Sequence, residues 1–362
     1  MRKQAFKPFQ AFLLIVSLSS AIVGGCFSIG SSPGPSPLPV ATPFNAPLAD
    51  ERGVTTIAGS QVRGFRDGPA MEAQFDGPMG IAINQKTGDL FVADRFNHRI
   101  RRINSAGIVS TFAGGEAGYQ DGDRETARFK HPFDIAIDAS GSLYVADYSN
   151  NAIRKITPSG NVSTLAGDGQ PGYADARGRN ARFKGPQSLT IAQDGEIFVA
   201  DIGNKRVRKV TPDGTVTTLA GNSEGAISLD YFALTTTASK TVYVSTSAGD
   251  IIQVAEDGTV SSFAGSRTLG TNDGPKHVAQ FNLIVGMTLD HAGFLYASDV
   301  GNCSIRMIEI EGSVTRGMVT TVPATFRSPT GLALDGQGNL YVADQVAHCI
   351  RRIERGVLDE QK

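Results

Sequence analysis

The chain has 362 residues, with 34 basic and 35 acidic side chains, a net charge of −1, 42 glycines, 17 prolines and three cysteines. The balanced charge excludes the electrostatic footprint of a nucleic-acid binder, and no run of like charge marks an acidic or basic tail. The glycine and proline content fits a β-rich chain with many turns, long enough for two ordinary domains or one closed array of repeats.

Arg2, Lys3 and Lys7 precede an apolar stretch from Ala11 to Val23, too short for a comfortable membrane span, and Val23-Gly24-Gly25-Cys26 follows. That order is expected of a secretory signal peptide over residues 1–25. Its last four residues resemble a bacterial lipobox, which implies lipidation of Cys26 as the mature N-terminus. Each buried methylene of such an anchor contributes about 0.8 kcal/mol, so more than one acyl chain holds firmly to a membrane. Phe27 stands where inner-membrane lipoproteins often carry aspartate; if the cell is Gram-negative, this favours the outer membrane. Residues 26–49, rich in Ser, Pro and Gly, read as a tether.

From there a twelve-residue phrase recurs: VADRFNHRIRRI at Val92–Ile103, then near-copies at Val145–Ile156, Val199–Val210, Ala297–Ile308 and Val342–Ile353, with a shorter, degenerate copy at Val244–Val254. Such a period marks a repeat architecture. Each phrase holds two strands joined by a polar turn. A short strand precedes it (Gly80–Ile83 in the first copy) and another follows (Val109–Gly114), giving a four-stranded antiparallel meander. Counting from Asp94 through Asp147, Asp201, Thr246 and Asp299 to Asp344 gives six units. Radial repetition of such units is a β-propeller. The last unit lacks its fourth strand, and Gly53–Gly59 supplies the matching sequence ahead of the first. The expectation is an all-β, six-bladed propeller over residues 50–357, closed by that N-terminal strand, with a C-terminal tail at 358–362. The pattern resembles the NHL-repeat family, with Asn97-His98 supplying two of the three namesake residues and Arg99 in the third place.

Asp94, Asp147, Asp201, Asp299 and Asp344 end the second strand of their blades. Arg101, Arg154, Arg208, Arg306 and Arg351 follow seven residues later. Blade four lacks both members, carrying Thr246 and Gln253. Joint loss is what a buried ion pair predicts, since keeping one charge without the other is costly. These ten residues are therefore expected to be structural ion pairs. Asn97, Asn150, Asn204 and Asn302 suit turn positions needing local side-chain bonding or a left-handed backbone. Phe75, Phe129, Phe183 and Phe281 are expected to seat the inter-blade connections in the core. Cys303 and Cys349 are offset by one position in their repeats, which argues against a bridge between them.

Function is sought where the copies differ. The connections entering blades one, two, three and five are long, and share a face with the Asp94–Asn97 turn and its equivalents. They contain Gly64–Gly68, Gly118–Gly122, Gly172–Ala176 and Gly270–Gly274, each with a carboxylate, and the first three with an aromatic ring. Structurally, the Asp-Gly shapes a turn and the ring covers its own loop. Functionally, Phe65, Arg95, Phe96, Tyr119, Tyr148 and Tyr173 are candidate contacts, because aromatics and Arg carry binding energy. The channel mouth offers one ionisable group, Asp134, and His98, His131 and His348 occupy turns on adjacent blades. The expectation is a recognition module without cofactor, gripping an envelope protein, peptide or glycan by its long-loop face. The alternative is a metal-dependent lyase or lactonase using Zn or Ca at Asp134 and His131. Enzymatic activity is left open, with the binding role preferred.

Overall fold

The computed structural model describes residues 47–221, 231–310 and 317–362. Cys26, the leader and most of the tether lie outside the described residues. Blade one is built from Pro78–Ile83, Leu90–Asp94, Arg99–Ile103 and Ile108–Gly114, paired antiparallel in chain order. Blades two to five repeat this meander, starting at Pro132, Pro186, Tyr231 and Ile284. Blade six takes Pro329–Leu334, Leu340–Asp344 and Cys349–Ile353 from the C-terminal end and Val54–Ala58 from the N-terminal end. Val54 pairs with Ile353 and Thr56 with Arg351, so the ring is closed as expected. Innermost strands pack each on the next, and the sixth on the first.

The second strands LFVAD, LYVAD and IFVAD are buried at every residue. A strand buried on both faces needs apolar or fully partnered side chains at every position, hence the β-branched and aromatic runs that drew attention in the sequence. Neighbouring blades share their cores: Ile81 and Val92 of blade one cluster with Ala333, Ala343 and Ile350 of blade six. Phe75, Phe129, Phe183 and Phe281 are fully buried, with the connections wrapped around them.

In blades one, two, three and six glycine ends the outermost strand for a specific reason. Gly59, Gly114, Gly167 and Gly221 have φ between +91° and +107°. A Cβ there would sit within 2.7 Å of the carbonyl oxygen of the turn residue preceding the third strand, so only glycine fits.

Three details differ from expectation. Blades one and five gain a fifth, two-residue strand, Gly68–Pro69 and Gly274–Pro275, contributed by their long connections. The domain begins before residue 50: the Leu48 amide donates to Gln61 Oε1 at 2.6 Å, and the Ala49 carbonyl accepts from Arg351. The C-terminal end is also part of the domain. Arg355–Asp359 forms a short helix whose Leu358 packs with Val54, Phe326 and Ile353. Cys349 is a free, buried thiol, so the two repeat cysteines do not bridge each other.

Candidate functional site

The repeated aspartate and arginine meet in blades one, two, three and five. Arg101 Nη1 lies 2.7 Å from Asp94 Oδ2, Arg154 Nη1 2.7 Å from Asp147, Arg208 Nη1 2.7 Å from Asp201 and Arg306 Nη1 2.9 Å from Asp299. Each arginine also reaches the long connection entering its own blade. Arg101 Nη2 binds Asp67 Oδ1 at 2.5 Å and the Arg66 carbonyl at 2.9 Å, while Nη1 binds the Gln74 carbonyl at 2.9 Å. Asp121, Asp175 and Asp273 play the part of Asp67 in the other three blades. The turn asparagine completes the clamp: Asn97 Nδ2 donates to Asp94 Oδ2 and to the Gly64 carbonyl. Local side-chain bonding is thus the role of the asparagine, and the left-handed backbone falls on the residue after it, as at His98, Asn151 and Lys205.

Blade six differs. Asp344 accepts the amides of Arg327, Ser328 and Ala347, while Arg351 donates to the carbonyls of Thr325 and Ala49. The expected Asp344–Arg351 ion pair is replaced by backbone partners among the described residues. The short connection brings no second carboxylate, and Ala347 stands where the asparagine would be. In blade four Thr246 bonds Asp250 and Gln253 bonds Ser261.

The candidate aromatics of the long connections rest on these arginines. The Arg101 guanidinium carbon lies 4.9 Å from the Phe65 ring centre and 5.1 Å from that of Phe75. Arg154 lies between Tyr119 and Phe129, and Arg208 between Tyr173 and Phe183, at similar distances. The Tyr119 hydroxyl donates to the Gly167 carbonyl, and Tyr173 meets Thr218 and Asp175. One face of each ring is therefore committed to the fold. Phe65 and Tyr173 still leave 44% and 47% of their surface exposed, so these rings cover their own loops without being closed off from solvent.

Arg95, Phe96 and Tyr148 lie together at the other end of the turn, where blades one and two meet. The guanidinium of Arg95 is 4.8 Å from the Phe96 ring centre and 5.0 Å from that of Phe133. Phe133 stacks on Tyr148 at 5.6 Å, and His131 packs against Phe96 at 5.8 Å and His98 at 4.7 Å. Arg95 is not a surface contact: it is 2% exposed. Its Nε and Nη1 have no hydrogen-bond partner among the described residues. Isolated burial of a cation costs several kcal/mol, whereas each ring face contributes about 0.5–2 kcal/mol. Nothing in the sequence links His131 and Phe133 to Arg95; only the ring geometry unites them.

The histidines tie blades rather than converge. His98 Nδ1 accepts the His131 amide and His348 Nδ1 the Gly77 amide, both at 3.2 Å, and Asn151 does the same for Gly185. Burial, then the neighbouring cations His98, Arg95 and Lys130, push His131 down to about 4, so its ring is neutral at pH 7.

A central cavity of about 300 Å³ is lined by the innermost strands, including Met79, Phe133, Asp134, Gln187, Val285 and Thr330. Asp134 accepts the Ile135 amide at 2.8 Å, Ser188 Oγ at 2.9 Å and the Leu189 amide at 3.0 Å. Both carboxylate oxygens therefore bind the scaffold, tying blade two to blade three. Burial raises this group to about 6. No trio of His, Cys, Asp or Glu among the described residues is grouped to hold a metal ion. Asp134 and His131, bonded as they are to the scaffold, do not fit the several free oxygen or nitrogen ligands that calcium or zinc needs.

With this geometry in view, comparison with known proteins is direct. The NHL-repeat family model matches residues 75–103 and 326–353, in blades one and six. Human NHL repeat-containing protein 2 is 27% identical over 332 residues, covering 80% of this chain and 40% of that protein. The chain spans well under half the length of the curated relatives it matches. An auxiliary nutrient binding protein from Bacteroides thetaiotaomicron superposes with a TM-score of 0.62 at 15% identity, covering 83% of this chain and 75% of that one. Virginiamycin B lyase from Staphylococcus aureus gives 0.53 at 16% identity, covering 78% and 82%. The chain carries NHL repeats in blades one and six and folds as a six-bladed β-propeller.

Two predictions follow from the buried groups. Removing one partner of a buried pair costs about 3–5 kcal/mol, so Arg101→Met should lower stability to urea by that order and make the 59–76 connection sensitive to protease. Asp94→Asn combined with Arg101→Met should be less destabilising than the sum of the two single changes. Asp134 carries a raised pKa in the fold, so its contribution is full below about pH 4 and is lost as pH rises through about 6. Urea denaturation should show the stability of the native protein falling relative to Asp134→Asn across that window.

Proposed function

We propose that this protein is a binding module of a bacterial cell envelope, held to the membrane by a lipid on Cys26, that grips a protein, peptide or glycan partner with its long connections. One observation carries the reading. Among the described residues the large apolar side chains left exposed are Val62, Phe65, Met71, Tyr173, Leu269 and Val278, all within long connections, together with Ile108 and Met318 in the strands those connections pair with. The blades bury their apolar surface, so apolar exposure concentrated on these loops is a feature of recognition surfaces. Structural similarity to a protein described as nutrient binding supports a binding role. The lyase and lactonase alternative finds no free ligand set at the channel. The lipobox-like Val23–Cys26 and the tether support anchoring.

The test is capture of solubilised envelope components by the full-length protein and its variants. Val62, Met71 and Leu269 are more than half exposed, so changing all three to serine should weaken capture while moving stability by only about 0.5 kcal/mol each. Unchanged capture would remove the loops from the reading. Cys26→Ala should shift the protein from the membrane to the soluble fraction and abolish fatty-acid labelling; persistence of both signals would overturn the anchor.

A further inference from the structure

In five blades the turn after the second strand ends on a residue with left-handed backbone: His98, Asn151, Lys205, Cys303 and His348, with φ between +49° and +56°. Three of these side chains accept an amide from the connection entering the next blade. His348 Nδ1 takes the Gly77 amide and His98 Nδ1 the His131 amide, both at 3.2 Å, and Asn151 Oδ1 takes the Gly185 amide at 3.0 Å. Each amide stands directly before the proline that opens an innermost strand, Pro78, Pro132 or Pro186. One structural bond is thus made with two chemistries. The Asn151 carboxamide accepts at any pH. An imidazole accepts at Nδ1 only while it is neutral, because a second proton turns that nitrogen into a donor facing another donor.

The two imidazoles hold both seams of blade one, six to one and one to two. We propose that these seams form an acid-labile clasp: protonation of His98 and His348 breaks their bonds to the His131 and Gly77 amides and frees the blade-one connection. The surroundings of both rings resist the second proton. Burial holds His98 below the usual histidine value; Arg99 beside it and Lys130 of the connection entering blade two act in the same sense, and Asp76 of the blade-one connection acts against them. Burial also holds His348 down, Asp76 offsets this in part, and Arg63 and Arg327 add to it. The His131 ring, 4.7 Å from His98 with Arg95 and Lys130 nearby, keeps its proton off until about pH 4. A base held down in the fold contributes fully above its ordinary value of about 6.5, and that contribution is lost as pH falls below it. The route from clasp to loop is short. Asp76 precedes Gly77; its carboxylate pairs with Arg63 at 2.9 Å and its amide bonds Asp94. Losing the Gly77 bond therefore loosens the end of the segment that carries the exposed Val62, Phe65 and Met71.

The functional consequence, release of a partner in acid, rests on the reading of the long connections as a binding surface; the clasp itself does not. Its test is hydrogen exchange of the full-length protein at the Gly77, His131 and Gly185 amides, at pH 7.5 and pH 5.0. The native protein is compared with His98→Asn combined with His348→Asn, since asparagine reproduces the bond of blade two without titrating. In the native protein, protection of Gly77 and His131 should fall about tenfold relative to Gly185 at the lower pH, the scale of one hydrogen bond. Exchange within residues 59–76 should rise with it. The double variant should show neither change. If it fails to fold, His98→Asn and His348→Asn taken singly should each abolish the pH response at one amide. A protection ratio in the native protein that does not change with pH, or an equal fall in the variants, would overturn the clasp. Capture of envelope components at the same two pH values separates the two readings. Capture that weakens about tenfold at pH 5.0 in the native protein and not in the double variant supports both. Acid-sensitive exchange with no capture at either pH keeps the clasp and removes the loop-borne partner. Capture at both pH values with unchanged exchange keeps the partner and removes the clasp.

Discussion

A guanidinium taken out of water must recover its hydration from the protein. Arg101, Arg154, Arg208 and Arg306 recover it from one carboxylate inside the blade, one on the incoming connection, and two backbone carbonyls of that connection. Two aromatic rings close over three of these arginines. The arrangement joins a long loop to the blade it enters by charge-assisted bonds to a fully buried guanidinium. A connection of some fifteen residues with little secondary structure would otherwise have little to order it. The loop's shape, and whatever surface it presents, therefore depends on the arginine beneath it.

Blades four and six show the same rule from the other side. Where the connection is short there is no second carboxylate to offer. Blade four carries neither Asp nor Arg at the repeat positions. Blade six keeps both, but satisfies each with backbone groups, including the Ala49 carbonyl delivered by the strand that closes the ring. Where the loop is long, the buried arginine draws a second carboxylate and carbonyls from it and holds it in place; where the loop is short, as in blade six, backbone carbonyls alone partner the arginine.

Arg95 stands apart from this system. It occupies a repeat position that is uncharged in the other blades carrying this turn, and it is buried without the partners that its fellow arginines share. In the same region His98 and His348 work as hydrogen-bond acceptors between blades, and Asp134 as a tie between innermost strands. The titratable groups near the channel thus divide into those whose bonds the scaffold completes and one whose bonds it does not.

Much of this molecule was legible in its sequence because a repeat states its structural requirements several times. Blade number, strand order, closure by Val54–Ala58 and the linkage of Asp to Arg all follow from what the copies share and lose together. The burial of Phe75 and its counterparts was legible for the same reason. What the repeat could not reveal is which residues distant in the chain meet. The second carboxylate on each arginine, Asp67 for Arg101, lies 34 positions away, and Phe65 turned from a free contact into a cover for a buried charge only when the loop was folded back. Residues 358–362 read as a tail beyond the propeller, but Leu358 finds a core made by both chain ends. Arg95 was chosen from the sequence as an exposed contact, yet lies buried between rings from two blades. Local pattern determines which residues form strands and turns; only the closing of the ring decides which side chains face one another across blades, and so which buried charges find partners.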